Sequence, residues 1–351
     1  MVMKVGIIGA SGFVGGELLR LLLNHDDVEV SMVCSRKNAG DYLHRVHPNL
    51  RGFSNLQFTE PDVDKITNNC DLVFTAVPHG SAFDVINNLL KTDLKIIDLS
   101  ADFRLKNKSD YDKWYGYEHP YPDLLSKSIL GIPELHRSDI KTAKLVSVPG
   151  CMAVTSILGL APLIHSNVLK SGIHIDAKVG SSGSGNKPTS ATHHSTRYGV
   201  VRPYKPVGHR HIAEIVQELN LISNDEMKFS MSTHGVNIVR GILCTINAKL
   251  KTEISANDVW KMYKSFYENE PFIRFIRDRK GNYRYPDPKI LIGSNFCDIG
   301  FEIDSDNNEL IILSATDNLV KGASGLAVQN MNIMNNFKEQ TGLWTPGLYP
   351  V

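Results

Sequence analysis

The chain is poor in cysteine, nearly free of net charge and without a long apolar run. Its 351 residues include 5 cysteines, and 38 basic against 37 acidic residues leave a formal charge of +1. Cys34, Cys70, Cys151, Cys244 and Cys297 are scattered, odd in number and free of any C-x-x-C pair. That argues against a disulfide framework and against a zinc site. Nothing in the charge balance demands nucleic acid or a membrane surface. No stretch of about 18 apolar residues occurs, so no membrane span is expected. The opening Met1-Val-Met-Lys-Val5 runs straight into an apolar strand, and no signal peptide is expected. These absences point to the cytoplasm. A hydrophobic content of 42% and a charged content of 21% describe an ordinary globular protein, long enough for two domains.

One thiol has a distinctive setting. In Val148-Pro-Gly-Cys-Met152 the cysteine follows a Pro-Gly turn and opens an apolar stretch to Ile164 that reads as a buried helix. A thiol at a helix N-terminus meets unpaired N–H groups and the positive end of the dipole, both favouring the nucleophilic thiolate. The alternative is a small core residue.

The first half reads as a nucleotide-binding unit. Lys4-Val-Gly-Ile-Ile8 is a buried parallel strand, followed by Gly9-Ala-Ser-Gly-Phe-Val-Gly15, a helical stretch from Glu17 to Asn24 and a strand over 27–33. Strand, glycine turn, helix and strand in about 30 residues open a Rossmann-type doubly wound sheet. Gly9, Gly12 and Gly15 let backbone approach a pyrophosphate at the helix start, beside Ser11, Phe13 and Val14. An NAD enzyme usually has an acid at the end of the second strand; here stand Cys34-Ser-Arg-Lys37, and Ser35 and Arg36 favour NADP. Later strands end at Pro78, Ser100 and Cys151. Ligands gather beyond strand carboxyl ends in such sheets, which sets Cys151 beside the nicotinamide by topology.

The second half predicts an α+β domain with a mixed or antiparallel sheet: strands at 173–179, 228–232, 241–248, 296–303 and 309–314, and a helix from Ile212. Gly180–Gly185 and most of 186–204 read as flexible loop. His209 and His211 flank Arg210 at a glycine turn before the helix; either suits acid/base work. No carboxylate or cysteine accompanies them at ligand spacing, so no metal is expected. The expected boundaries are 1–150 for the NADP domain and 151–315 for the catalytic, substrate and oligomerisation domain. Residues 316–351 would carry a helix, 321–334, back to cover the cofactor site.

The motifs Gly9–Gly15, Pro78-His-Gly80, Ile97-Asp-Leu-Ser-Ala-Asp-Phe-Arg-Leu105, Gly131-Ile-Pro-Glu-Leu135, Pro149-Gly-Cys151, Gly208-His-Arg-His211 and Arg240-Gly241 together resemble the N-acetyl-γ-glutamyl-phosphate reductase family. The resemblance spans the chain. It implies a semialdehyde-dehydrogenase-like fold and NADP-dependent reduction of a side-chain acyl phosphate to the semialdehyde. It implies Cys151 as nucleophile, His211 ahead of His209 as acid/base, and Asn318 at the nicotinamide end. Substrate contacts are assigned to Arg104, Ser182, Gly183, Tyr204, Arg210 and Arg240.

One departure bears on the substrate. The arginine-pathway enzymes usually read Pro-Gly-Cys-Tyr, whereas here Met152 follows the cysteine. That resembles the archaeal-type branch, whose aminoadipyl or glutamyl phosphate is tied to a small acidic amino-group carrier protein. Basic residues for such a partner are Lys187, Arg197, Arg202, Lys205 and Arg210, and the run Arg274, Arg277, Arg279, Lys280 and Arg284; the plainer alternative is solvated charge. A homo-oligomer is expected. The N-acetyl reductase is the alternative function, and a non-catalytic NADP-binding redox sensor a more distant one.

Overall fold

The computed structural model describes residues 2–351. Two compact units emerge, one reaching to Pro149 and including Ala323–Thr345, the other comprising Gly150–Gly322 and Pro346–Val351.

The first unit holds a parallel sheet of six strands: β1 (Met3–Ile8), β2 (Val28–Cys34), β3 (Leu72–Thr75), β4 (Lys95–Asp98), β5 (Ser128–Leu130) and β6 (Leu145–Ser147). They lie in the order β2-β1-β3-β4-β6-β5, every pair parallel. The helix Phe13–Leu22 carries the chain from β1 to β2, and β3 then adds on the other side of β1. The order reverses at β1, which puts the ligand crevice of a doubly wound sheet at its carboxyl end. Parallel strands are covered on both faces, and β3 is buried throughout. The helix Gly325–Met334, entirely buried, belongs to this unit. Polar ties hold it there: Asn330 Nδ2 donates to Gly131 O at 3.0 Å, and Lys95 Nζ to Met334 O at 2.6 Å.

The second unit is a seven-stranded mixed sheet: β7 (Ile173–Val179), β8 (Val201–Lys205), β9 (Phe229–Val236), β10 (Ile242–Lys249), β11 (Ile273–Phe275), β12 (Cys297–Asp304) and β13 (Glu309–Thr316). The order is β11-β12-β13-β10-β7-β9-β8, with β11/β12 and β7/β9 parallel and the other pairs antiparallel. The fold is therefore a Rossmann-type parallel sheet plus an α+β unit with a mixed sheet, as the sequence implied.

At the centre of this unit runs the helix Cys151–His165, buried from Met152 to Ile164. Pro162 lies inside it and has no N–H for the carbonyl four residues back. The Tyr267 hydroxyl fills that place, donating to Leu158 O at 2.7 Å, and Tyr263 donates to Gly159 O at 2.6 Å. Tyr263 comes from the helix Ala256–Phe266, capped at Ser255, and Tyr267 is its C-cap; no sequence expectation covered this element.

Three expectations change. Residues 201–205, read as loop, form the edge strand β8, whose five residues are all exposed; only backbone pairing to β9 marks it. The segment 181–184, read as flexible, is a short helical turn pinned by Ser181 N to Ile238 O at 2.9 Å and Ser182 N to Val239 O at 3.0 Å. The second unit runs on to Gly322 rather than 315, because Asp317, Asn318 and Lys321 are bound by side chain within it.

Candidate active site

In the first unit the glycine loop leaves β1 at the point where the strand order reverses. Gly9 has φ +85°, and a Cβ there would lie 2.4 Å from Ala76 O, just beyond β3. A Cβ on Gly15 would lie 2.6 Å from the Ala10 backbone. Gly12 caps the helix Phe13–Leu22 in extended conformation without a side-chain bond, and a Cβ on it would meet nothing nearer than 3.8 Å. Two glycines close the loop and one keeps its mouth bare, a cradle that fits a dinucleotide pyrophosphate. Ser11 Oγ and Ser35 Oγ meet at 2.9 Å, joining the loop to the end of β2, and Arg36 beside them is exposed. Val14 O accepts from Ser324 Oγ at 2.9 Å.

The neighbouring strand ends are built around two buried aspartates. Asp98 accepts from Thr75 Oγ1 at 2.6 Å, Ser100 Oγ at 2.7 Å and Ser100 N at 3.0 Å; burial pushes its carboxyl up to about 6. Asp102 accepts from Gly80 N at 2.7 Å and Ala82 N at 2.9 Å, clamping the turn after the exposed Pro78. Ser100 is fully buried, so its hydroxyl shapes the turn. Arg104 is also buried, its Nε donating to Val148 O at 2.8 Å and its Nη2 to Leu99 O at 3.3 Å.

In the second unit Cys151 is the first residue of its helix, with no acid in the first turn. It is the one half-exposed cysteine; the other four are buried. Burial pushes the Cys70 and Cys244 thiols up to about 12, which leaves them inert. The ring of His211 lies against the residue before Cys151: a Cβ on Gly150 would fall 2.3 Å from His211 Nε2. Glu214, fully buried and three residues further along the helix His211–Leu221, accepts from Gly150 N at 2.6 Å. The sequence reading missed Glu214; an acid one turn after a histidine at a helix start was its signal. His209 Nδ1 accepts from His211 N at 3.2 Å, and the two rings meet edge-on at 4.7 Å. Burial, then the charges of Arg210 and Lys205, pull His209 down to about 4.

Tyr204, exposed on β8, donates to Met152 Sδ at 3.9 Å and so stands at the start of the Cys151 helix. Asn318 is buried between two loops: Gly241 N donates to its Oδ1 at 2.7 Å, and its Nδ2 donates to Ser182 Oγ at 2.9 Å. Gly183 is exposed at the tip of that turn. Arg240 is gripped by the buried Asp317, Nη2 to Oδ2 at 2.9 Å and Nε to Oδ1 at 3.3 Å; Asp317 is a second residue the sequence reading missed. Arg210 is exposed at the N-cap of the His211 helix.

The two basic groups lie at opposite ends of the seven-stranded sheet, roughly 30 Å apart at ordinary strand spacing. The Arg202 and Lys205 group is on β8, and the Arg274 group begins on β11. Arg274 is bound to buried Asp298 at 2.6 Å, and Arg277 lies over Trp260 at 5.0 Å, so this second group is partly structural. Among the described residues no cluster of three or more metal-ligating side chains occurs, and no helix is long and apolar enough to cross a membrane.

Residues 4–143 match the model for the semialdehyde dehydrogenase NAD-binding domain, and 151–318 that for the semialdehyde dehydrogenase dimerisation domain. The chain belongs to the semialdehyde dehydrogenase family. A protein of Sulfurisphaera tokodaii, 48% identical over 99% of both chains, is named LysW-L-2-aminoadipate/LysW-L-glutamate phosphate reductase. One of Cenarchaeum symbiosum, 58% identical over 99% of this chain and 100% of its own length, has the same name provisionally. Both agree with the branch to which the sequence pointed. Among solved structures, aspartate semialdehyde dehydrogenase II of Vibrio cholerae superposes with TM-score 0.72 at 17% identity, covering 96% of this chain and 99% of that one. The Candida albicans enzyme, solved with NADP, superposes with TM-score 0.70 at 15% identity, covering 95% and 99%. Like other members of this family, the chain is an oxidoreductase with an NAD(P)-binding Rossmann domain; it acts on an acyl phosphate.

Proposed function

We propose that the chain is an NADPH-dependent reductase of aminoadipyl or glutamyl phosphate presented on a small acidic carrier protein, with Cys151 as its nucleophile. The observation that carries this reading is the half-exposed thiol at a helix start with the His211 ring packed on the preceding residue. The Cys151 sulfur attacks the acyl carbon, N–H groups at the helix start stabilise the oxyanion, and phosphate leaves an acyl thioester on the enzyme. The chemistry that NADPH would supply when bound is a hydride, which would take this acyl group to the aldehyde level. His211 handles the proton as the sulfur is released; His209, held near 4, is too weak a base for that role.

The glycine loop, Ser35 and Arg36 would hold the dinucleotide. The exposed arginine and the absence of an acid at the end of β2 favour NADP. Arg240, oriented by Asp317, suits a substrate carboxylate, since a fork held from one side loses little entropy on binding a second.

The carrier reading draws on the names of the relatives and on charge. No acidic residue occurs between Asp176 and Glu214, while Lys178, Lys187, Arg197, Arg202, Lys205 and Arg210 all do. In a chain of net charge +1 that asymmetry favours an acidic partner along β8. A homo-oligomer formed through the second unit completes the reading, checked by sedimentation.

The test is turnover of carrier-linked aminoadipyl, carrier-linked glutamyl and N-acetylglutamyl phosphates. Carrier-linked substrates should be strongly preferred, with a steep loss of kcat/KM as salt rises. Equal turnover of the N-acetyl compound without a salt effect would return the chain to the N-acetyl branch. Full activity of Cys151→Ala would remove the mechanism.

A further inference from the structure

Between β13 and the helix Gly325–Met334 runs a short irregular segment that touches several parts of the second-unit site. Asp317 grips Arg240, and Asn318 bridges Ser182 and Gly241. Residues Val320–Ser324 form a single π-helical turn, a rare geometry that recurs at functional sites. Within it Gly322 lies so near the thiol-bearing residue that a Cβ there would fall 2.8 Å from Cys151 Cβ and 3.4 Å from its Cα.

The preceding residue, Lys321, is fully buried. Lysine is almost never found so without partners. The Phe272 ring supplies one, its centroid 5.6 Å from the ammonium, and Phe272 is itself buried and packed on Phe296 at 5.7 Å. A well-packed apolar side chain at this place would stabilise the fold as well or better. What a buried charge adds is register: sliding the turn by one residue would strand the ammonium away from its partners, at a large desolvation cost. One turn geometry is thereby selected, and that geometry sets Gly322 against Cys151.

We infer that Lys321 is a positioning residue for the reaction, its buried ammonium fixing the 320–324 turn so that Gly322 forms the wall on which Cys151 is seated. The inference rests on Cys151 being the nucleophile.

Lys321→Met keeps the length and removes the charge; Lys321→Arg keeps the charge. In the full-length enzyme, Lys321→Met should fold, bind NADPH normally and keep its KM. Its kcat should fall on the order of 10²-fold, as expected for a misplaced reacting group, and alkylation of Cys151 by iodoacetamide should slow, with an altered pH midpoint. Lys321→Arg should recover part of both. Wild-type kcat and a wild-type alkylation profile in Lys321→Met overturn the inference. If that variant fails to fold, Gly322→Ala decides: it leaves Lys321 in place and presses a methyl group on Cys151. The same kcat-specific loss supports the inference, and wild-type kcat overturns it. Cys151→Ala separates the two claims, because turnover by that variant removes the nucleophile assignment whatever Lys321 does.

Discussion

The Glu214 carboxylate accepts the amide proton of Gly150 at 2.6 Å, and one bond thereby joins the starts of two helices. Glu214 is in the first turn of the helix that begins at His211, and Gly150 is the N-cap of the helix that begins at Cys151. A buried strut thus ties the helix starts that carry the candidate nucleophile and acid/base.

Glu214→Ala should leave a buried N–H without its acceptor, costing about 1–3 kcal/mol, and should lower kcat as the two helix starts drift apart. Glu214→Gln keeps an acceptor oxygen and should recover most of the stability. Thermal unfolding and steady-state kinetics on both variants check this; an unchanged Tm in Glu214→Ala would show that the bond contributes little.

His209 should be dispensable for acid/base work. Its pKa is lowered to about 4 from 6.5 by burial and by Arg210 and Lys205, so it stays neutral through the physiological range. The pH profile of kcat/KM in His209→Asn should keep its wild-type shape, whereas His211→Asn should lose on the order of 10²–10⁴ in rate. The same shift predicts a stability effect. A histidine depressed on folding binds fewer protons in the native state, so its contribution is full above pH 6.5 and is lost as the pH falls toward 4. A wild-type Tm that declines over this window, and a smaller decline in His209→Asn, is the expected result.

How much of this was legible depended on what each residue buries. The parallel sheet was readable because strands covered on both faces are written as apolar runs, as in Leu72–Thr75. The place of Cys151 at a helix start was readable because Pro-Gly before an apolar run is a local signal. The strand β8 was not: its five residues are exposed, and only pairing with distant β9 makes it a strand. Glu214 and Asp317 look like ordinary surface acids in the sequence, and their roles arise from contacts 64 and 77 residues away along the chain. Arg104 and Ser100 show the converse. Both lie in a motif read as ligand contacts, and both are buried at the strand ends, where Arg104 bonds Val148 O and Ser100 bonds Asp98, contacts that the sequence does not announce.

Cofactor choice should respond to Arg36. It is exposed at the end of β2, next to Ser35, whose hydroxyl meets that of Ser11 in the glycine loop. Arg36→Glu removes a donor and adds repulsion where a 2′-phosphate would sit. Bonds to charged groups contribute about 1.5–3 kcal/mol, so the KM for NADPH should rise on the order of 10–100-fold while that for NADH changes little. Equal effects on both cofactors would count against a 2′-phosphate contact.

The glycine before Cys151 gives the sharpest steric test. Gly150 has φ −65° and ψ 144°, a conformation open to any residue, so its glycine is not explained by backbone geometry. The ring of His211 explains it: a Cβ would lie 2.3 Å from Nε2 and 2.5 Å from Cδ2, far inside contact distance. Nor has the ring room to yield, since His211 is buried. Gly150→Ala should therefore fold with a packing penalty of about 1–3 kcal/mol and, under the proposed mechanism, lose kcat on the order of 10²-fold, because the displaced group is the proposed acid/base. Removing the ring should relieve the clash. Adding Gly150→Ala to a His211→Ala enzyme should then cost little further stability or rate, so the two changes should be strongly non-additive. Thermal unfolding and kcat for the two single variants and the double variant close the cycle, and additive losses would mean that the alanine acts through something other than His211.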